Sequence, residues 1–269
     1  MGSSERTGIR PVWQPGGTWR FRQVSCLVLV LWVGVGLPAV ALVAVFARDA
    51  AIWAVPVWLL GLIAFPLAIG LLGARLQRAW RREAARRGWT YAATAPELKA
   101  RWPFMPFTAD PEPEVVEVTS GVHRGRRFWL GRFRFGLGDT KVAFDFIDLE
   151  IDRPLPAMQI APESLTGLVA PGLRPLDLHL ESAEFNDRYR LVRGEPATVH
   201  AVLHPRVMTV LLSVQPFGFV THGDRFVALM PSFRKPETIL AQLDAACDIL
   251  ELMPEHIWRA GESGATPIP

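Results

Sequence analysis

Two histidines four residues apart, His200 and His204, have the spacing that lets adjacent turns of a helix share a metal ion. A zincin-type helix also carries Glu directly after its first His, and here Ala201 follows His200. Pro205 begins a new helix after His204, and no Cys or His cluster lies nearby in the sequence. The pattern therefore predicts no metal site, and surface or packing roles for both histidines.

Three carboxylates, Asp148, Glu150 and Asp152, alternate along a predicted strand. Such a row has the chemistry to bind a hard cation or to act as an acid–base pair. Because it alternates with Ile147, Leu149 and Ile151, it is also typical of a solvated strand face opposite a buried one. We predict the solvated face.

Nucleophilic and phosphate-binding signatures are absent from the sequence. Ser182 stands near Glu181 and Glu184, but the sequence places no histidine beside it. The chain has no G-x-S-x-G, P-loop, C-x-x-C, H-E-x-x-H or dinucleotide fingerprint. The sequence thus names no catalytic residue and no cofactor, which argues against an enzyme without deciding the point.

The segment from residue 181 to residue 212 carries the E-S-x-x-F-N pattern, followed by an aromatic residue and a Pro-Arg-x-Met turn. Its members are Glu181, Ser182, Phe185, Asn186, Tyr189, Pro205, Arg206 and Met208. In these residues the chain resembles an uncharacterised family of bacterial membrane proteins, mostly from high-GC genomes. The resemblance implies one or two membrane spans and a cytosolic α+β domain, and it implies no activity.

The polar residues of this motif allow two interpretations. Glu181, Ser182 and Asn186 form a candidate ligand-binding group on a connecting segment, where binding residues are common. Alternatively, Ser182 and Asn186 bond to local backbone groups while Phe185 and Tyr189 hold the turn against the core. The residues favour the structural role and leave the ligand-binding role as a hypothesis.

Charge is distributed unevenly along the 269 residues. Residues 1–87 contain 11 Arg and three acidic residues, a net charge of +8, whereas residues 88–269 contain 18 basic and 23 acidic residues, a net charge of −5. A nucleic-acid-binding domain needs positive charge on its folded face. The acidic second part therefore argues against nucleic acid as a partner.

Two charge-free runs of 24 residues, 24–47 and 51–74, flank the short segment Arg48–Ala50. Each would be about 36 Å long as a helix, which predicts a transmembrane helical hairpin. Arginines lie before the first run and after the second, so the positive-inside rule predicts a two-pass protein of the inner membrane with both termini cytoplasmic. A signal peptide ending near Ala41 is the competing interpretation.

A basic juxtamembrane helix is predicted over residues 75–87, ending at Gly88. Its six arginines are candidates for contact with the membrane surface, where anionic lipid headgroups would attract them. A role in setting topology explains them equally. They are Arg75, Arg78, Arg81, Arg82, Arg86 and Arg87.

Beyond Gly88 the pattern favours strands and turns, with a hairpin at residues 115–135 and an amphipathic helix at residues 237–253. In residues 140–152 the apolar positions change parity, which predicts a β-bulge near Phe146 and Ile147. The predicted fold class is a membrane-anchored α+β protein: a cytoplasmic segment 1–23, the two-helix transmembrane hairpin, and a largely antiparallel sheet domain with covering helices over residues 88–258. A flexible tail is predicted from residue 259.

Three function classes remain. We favour a membrane-tethered cytosolic module that binds or scaffolds a protein partner of unknown identity, because a basic segment at the membrane precedes an acidic domain without catalytic residues. An enzyme or ligand sensor of unrecognised type is the second class, since a site assembled from distant strands leaves no local motif. An accessory subunit of a membrane transporter is the third.

Overall fold

The structure is a computed structural model that describes residues 48–108, 110, 112–137, 140–169, 175–231 and 235–263. The first predicted span, residues 24–47, and the predicted cytoplasmic segment 1–23 lie outside these residues.

A single helix, α1, runs from Arg48 to Arg86. It includes the predicted turn at Arg48–Ala50 and continues without a break into the basic segment. The helix ends in a Schellman motif, in which Trp89 N donates to Ala84 O at 2.9 Å and Gly88 N donates to Ala85 O at 3.1 Å. Gly88 has a φ of 71°, a left-handed conformation that glycine adopts without steric cost.

The predicted membrane-anchored fold class is wrong for the part of the chain that the structure describes. Among these residues, no helix is sufficiently long and apolar to cross a membrane. The prediction counted two charge-free runs. The first lies outside the described residues, and the second is one portion of a helix that continues through arginine-bearing turns.

The sheet contains six described strands: β1 (Thr90–Thr94), β2 (Glu114–His123), β3 (Arg126–Leu137), β4 (Thr140–Pro162), β5 (Tyr189–Arg193) and β6 (Gly218–Pro231). Their order is β1-β2-β3-β4-β5, β6 also pairs with β4, and all pairs are antiparallel. The long β4 pairs with β3 in its first half and with β5 at its end. The prediction of an antiparallel sheet with helices is confirmed.

Six described helices follow β4: α2 (Glu163–Val169), α3 (Ala183–Arg188), α4 (Pro196–Val202), α5 (Pro205–Ser213), α6 (Pro236–Glu251) and α7 (Glu255–Ser263). The longest of them is α6, with 16 residues. The new helix that the sequence predicts at Pro205 is confirmed. Leu176 makes an isolated bridge with Leu191. Where the sequence predicts a tail from residue 259, α7 continues to Ser263.

Each face of the sheet packs against its own hydrophobic core. Helices α4, α5 and α6, with the end of α1, cover one face, which contains Phe128, Ile147 and Leu149. The segment Pro96–Phe107 and Leu165 of α2 cover the other, which contains Phe133, Phe144 and Phe146. Both side-chain parities of β4 are therefore buried between Phe144 and Leu149.

The predicted bulge near Phe146 and Ile147 is wrong for this reason. Residues Thr140–Leu149 of β4 pair with β3 in unbroken register. Two apolar parities in one strand indicated a bulge only if one face was exposed. The strand becomes irregular further on, between Glu150 and Leu155 in its pairing with β6.

Candidate functional site

The last turns of α1 are bound to the sheet by polar and apolar contacts. Trp80 and Ala84 are buried in the core, and Trp80 Nε1 donates to Thr119 Oγ1 at 2.9 Å. One turn earlier, Gln77 Nε2 donates to Glu117 Oε1 at 2.8 Å. Glu117 lies where the register between β2 and β3 shifts, and its φ is 57°. These contacts define the side of α1 that faces the domain.

The opposite side of α1 carries a stripe of exposed leucines followed by arginines. Leu60, Leu67 and Leu71 are 67%, 59% and 50% exposed. At about 100° per residue, all three lie within about 20° of one direction, and Arg75, Arg78 and Arg82 lie within about 60° of it. Trp80 points about 160° away from that direction. We call Leu60, Leu67, Leu71, Arg75, Arg78 and Arg82 the outer stripe; it is about 33 Å long.

The six candidate arginines differ in what they contact. Arg81 donates to the Tyr91 hydroxyl at 2.7 Å and stacks over its ring. Arg86 and Arg87 pair with Glu83 at 3.7 and 2.8 Å. Arg78 Nε donates to the Ala74 carbonyl within its own helix. Arg75, Arg78 and Arg82 are exposed and form no ion pair with a described side chain, so their charges face solvent.

The E-S-x-x-F-N segment makes local bonds with its polar side chains. Ser182 is the N-cap of α3, and its Oγ accepts from Phe185 N at 3.2 Å. Asn186 Nδ2 donates to Leu180 O at 2.7 Å, and its Oδ1 accepts from Leu180 N at 3.0 Å. Glu181 is exposed. These local bonds are the ones that the structural interpretation predicts, and ligand binding by the three residues stays a hypothesis.

Aromatic packing beneath this segment agrees with a structural role. The rings of Phe185 and Tyr189 stack at 4.6 Å, and the Tyr189 hydroxyl donates to Leu211 O at 3.2 Å. Burial raises the pKa of Tyr189 to about 12. Beside Asn186 is a hollow lined mainly by apolar side chains, among them Ile160 and Leu203. The polar residues that line it, Asn186, Tyr189 and Arg190, are each already engaged in hydrogen bonds.

The two histidines do not share a site. His200 is exposed on α4, whereas His204 precedes α5 and its Nε2 lies 3.1 Å from Leu252 O. Among the described residues, no three His, Cys, Asp or Glu side chains gather as metal ligands would.

The prediction of a solvated carboxylate face is wrong for Asp148. Asp152 is exposed and Glu150 is partly exposed, but Asp148 is fully buried. In the register of the sheet, Asp148 stands opposite Trp129 of β3 and Val227 of β6. The sequence does contain an indication of this burial, because Asp148 lies on the same face of the strand as the apolar residues Phe144 and Phe146.

Two arginines and two tryptophans surround the Asp148 carboxylate. Its Oδ2 accepts from Trp102 Nε1 at 3.1 Å and lies 3.4 Å from Arg101 Nε. Its Oδ1 lies 3.9 Å from Arg225 Nη1 and accepts no hydrogen bond from a described residue. The Arg101 guanidinium stacks 3.8 Å from the centre of the Trp129 ring. Sequence spacing could not reveal this group, since its members come from four separate segments.

Burial dominates the electrostatics at Asp148. It raises the pKa of the carboxyl group from 3.8 to about 6, although Arg225, Arg101 and the Trp102 hydrogen bond act in the opposite direction. The pKa of the Asp148 carboxyl group therefore lies close to neutral pH.

Comparison with known proteins finds one distant structural likeness and no sequence relative. No family model matches the chain, and none of the curated proteins matches it. Among solved structures, it is similar to the crystal structure of the mycobacterial trehalose monomycolate transport factor A, TtfA. The identity is 17%, the TM-score is 0.49, and the match covers 68% of this chain and 96% of that chain. A likeness at this TM-score carries no argument about function.

Proposed function

We propose that this protein is a binding or scaffolding module that attaches to an anionic membrane surface through the outer stripe of α1. The observation that supports this proposal is the position of the stripe. Its exposed leucines and arginines lie on the side of α1 that faces away from the domain. A helix with this arrangement can lie along a membrane while the domain stays in water.

Both halves of the outer stripe contribute to the expected binding. An anionic membrane surface attracts a nearby arginine with about 1 kcal/mol, and salt screens that attraction. Each leucine side chain that moves from water into the apolar layer contributes up to about 2 kcal/mol. Arg75, Arg78 and Arg82 therefore add about 3 kcal/mol, and the leucines add a term that salt does not weaken.

Flotation of the full chain with lipid vesicles tests this proposal. The variant Arg75→Gln/Arg78→Gln/Arg82→Gln should bind anionic vesicles up to about 150-fold more weakly than the wild type at low salt. The control Arg127→Gln/Arg206→Gln/Arg259→Gln loses the same charge from exposed positions outside α1, and it should bind nearly as the wild type. Equal weakening by both triple variants would overturn the proposal.

A pull-down from mild detergent identifies the kind of partner. If the partner stays when residues 24–74 are replaced by an unrelated sequence, the folded domain holds it, as a scaffolding module would. Loss of the partner in that variant would favour the alternative of an accessory subunit that contacts a membrane transporter through its N-terminal part.

A further inference from the structure

The segment Pro96–Phe107 lies across one face of the sheet, and we call it the strap. It begins with a 3₁₀ helix, Pro96–Arg101. Trp102 and Phe107 stack at 4.5 Å, and Phe107 contacts Phe133 edge-on at 4.9 Å. Trp102 also meets Phe146 at 4.7 Å. The strap therefore keeps the aromatic side chains of this face out of water.

Asp148 of β4 binds the strap through polar contacts. Arg101 and Trp102 both approach Oδ2, whereas Oδ1 has no hydrogen bond within the part of the chain that the structure describes. Because the closed strap removes Asp148 from water, closure exchanges the hydration of the carboxylate for an incomplete set of protein contacts. An ionised carboxylate with an unsatisfied buried oxygen is costly, and a protonated one is less so.

Charged groups approach Asp148 from two of the elements packed against it, the strap and β6. The strap supplies Arg101, and β6 supplies Arg225, which also lies 3.9 Å from Glu150 of β4 and 3.5 Å from Asp224. These two acids share the charge of Arg225, whose Nη1 forms no hydrogen bond with any residue described here. The opposing strand β3 contributes the uncharged ring of Trp129.

One further titratable group borders the strap. The His222 ring lies 5.3 Å from the Phe104 ring, and its buried Nδ1 has no hydrogen-bond partner among the described residues. A protonated His222 would add positive charge on the same side as Arg101 and Arg225. The test must therefore separate His222 from Asp148.

We propose that closure of the strap is linked to uptake of a proton from solvent by the Asp148 carboxyl group, so that acidification holds the strap closed and a rise in pH loosens it. The strap is thus a pH-sensitive cover over the aromatic face of the sheet. This property is independent of membrane attachment.

The direction and size follow from proton linkage. With the strap closed, the pKa of Asp148 is about 6; with the strap lifted, water reaches both oxygens and the pKa returns toward its ordinary 3.8. The closed state therefore binds more protons between these two values. The closed-to-open ratio falls as pH rises through this range, by up to about 100-fold, and is constant above it.

Hydrogen exchange of the full chain measures this ratio. Protection factors of the backbone amides in residues 97–107, corrected for the intrinsic pH dependence of exchange, should fall by up to about 100-fold from pH 4 to pH 7 in the wild type. Asp148→Asn should abolish the dependence. Asp152→Asn, an exposed carboxylate of the same strand, and His222→Gln should retain it.

Two results would overturn the proposal. One is wild-type protection that does not change with pH. The other is a pH dependence that persists in Asp148→Asn or disappears in His222→Gln. Should Asp148→Asn fail to fold, carbon-13 titration of the wild-type Asp148 carboxyl decides the question: a midpoint near 6 supports the proposal, and a midpoint near 4 contradicts it.

Discussion

The hydrogen bond between Trp80 and Thr119 should couple α1 to the sheet, and a double-mutant cycle measures that coupling. Trp80→Phe keeps an aromatic ring but removes the Nε1 donor, while Thr119→Val keeps the branched shape but removes the hydroxyl. Both residues are buried, with Trp80 6% exposed and Thr119 fully buried. Each single variant therefore leaves one buried polar group unpaired, which costs about 1–3 kcal/mol.

In the double variant no orphaned group remains, because both partners are absent. Its loss of unfolding free energy should be smaller than the sum of the two single losses by about 1–2 kcal/mol. Trp80→Phe also loses ring volume in the core, but this term is present in both variants that carry it and cancels in the cycle.

Urea unfolding of the full chain, followed by circular dichroism, provides the free energies. Thr221→Val serves as the control partner for Trp80→Phe, because the Thr221 hydroxyl bonds to Pro156 O in another part of the sheet. That control cycle should be additive within about 0.5 kcal/mol. Additivity in the Trp80 and Thr119 cycle as well would refute the inference that this bond fastens α1.

Two further substitutions test the packing of the domain. Gly261→Ala would place a methyl group 2.7 Å from the carbonyl carbon of Pro154, so we expect the free energy of unfolding to fall by about 1–3 kcal/mol in a thermal melt. The control Gly167→Ala has open space around it and should be neutral or stabilising. Equal effects of the two substitutions would contradict this packing. Asn186→Ala removes both hydrogen bonds to Leu180 and should lower the free energy of unfolding by about 1–3 kcal/mol. Glu181→Ala, at an exposed position, should lower it by less than about 0.5 kcal/mol. An unchanged melting temperature in Asn186→Ala would favour the ligand-binding hypothesis.

Local patterns in the sequence were sufficient for several elements. The β2–β3 hairpin was predictable because turn residues separate two apolar runs, and Gly125 occupies its tight turn with a φ of 78°. The helix α6 was predictable because its apolar residues recur at helical spacing. Its start at Pro236 agrees with the preference of proline for the first helical turn.

The burial of Asp148 depends on contacts that sequence spacing does not contain. Arg101 approaches it from 47 positions earlier in the chain and Arg225 from 77 positions later. A strand with one apolar and one acidic parity is ordinarily half-exposed, and here the strap covers the second face at Asp148. For the same reason, the two apolar parities of β4 indicated a bulge where the structure has a sheet covered on both faces.

The extent of α1 shows a second limit of sequence analysis. Charge alone separated residues 51–74 from residues 75–87, but no helix-breaking signal stands between Ala74 and Arg75. The backbone continues through that boundary to Gly88. The contacts of Trp80 and Gln77 with β2, which decide the side of α1 that faces outward, are also invisible in a single sequence.

An environment-sensitive fluorophore on the outer stripe tests the membrane-surface account most directly. In a Cys26→Ser background, Leu71→Cys carries the probe, and Ser164→Cys, exposed on α2, is the control. Cys247 should not be labelled, since it is buried and burial raises its pKa to about 11. On anionic vesicles, the Leu71 probe should shift to the blue and be quenched by spin-labelled lipid, while the Ser164 probe stays unchanged. A Leu71 probe that remains in water on vesicles to which the protein is bound would contradict the account.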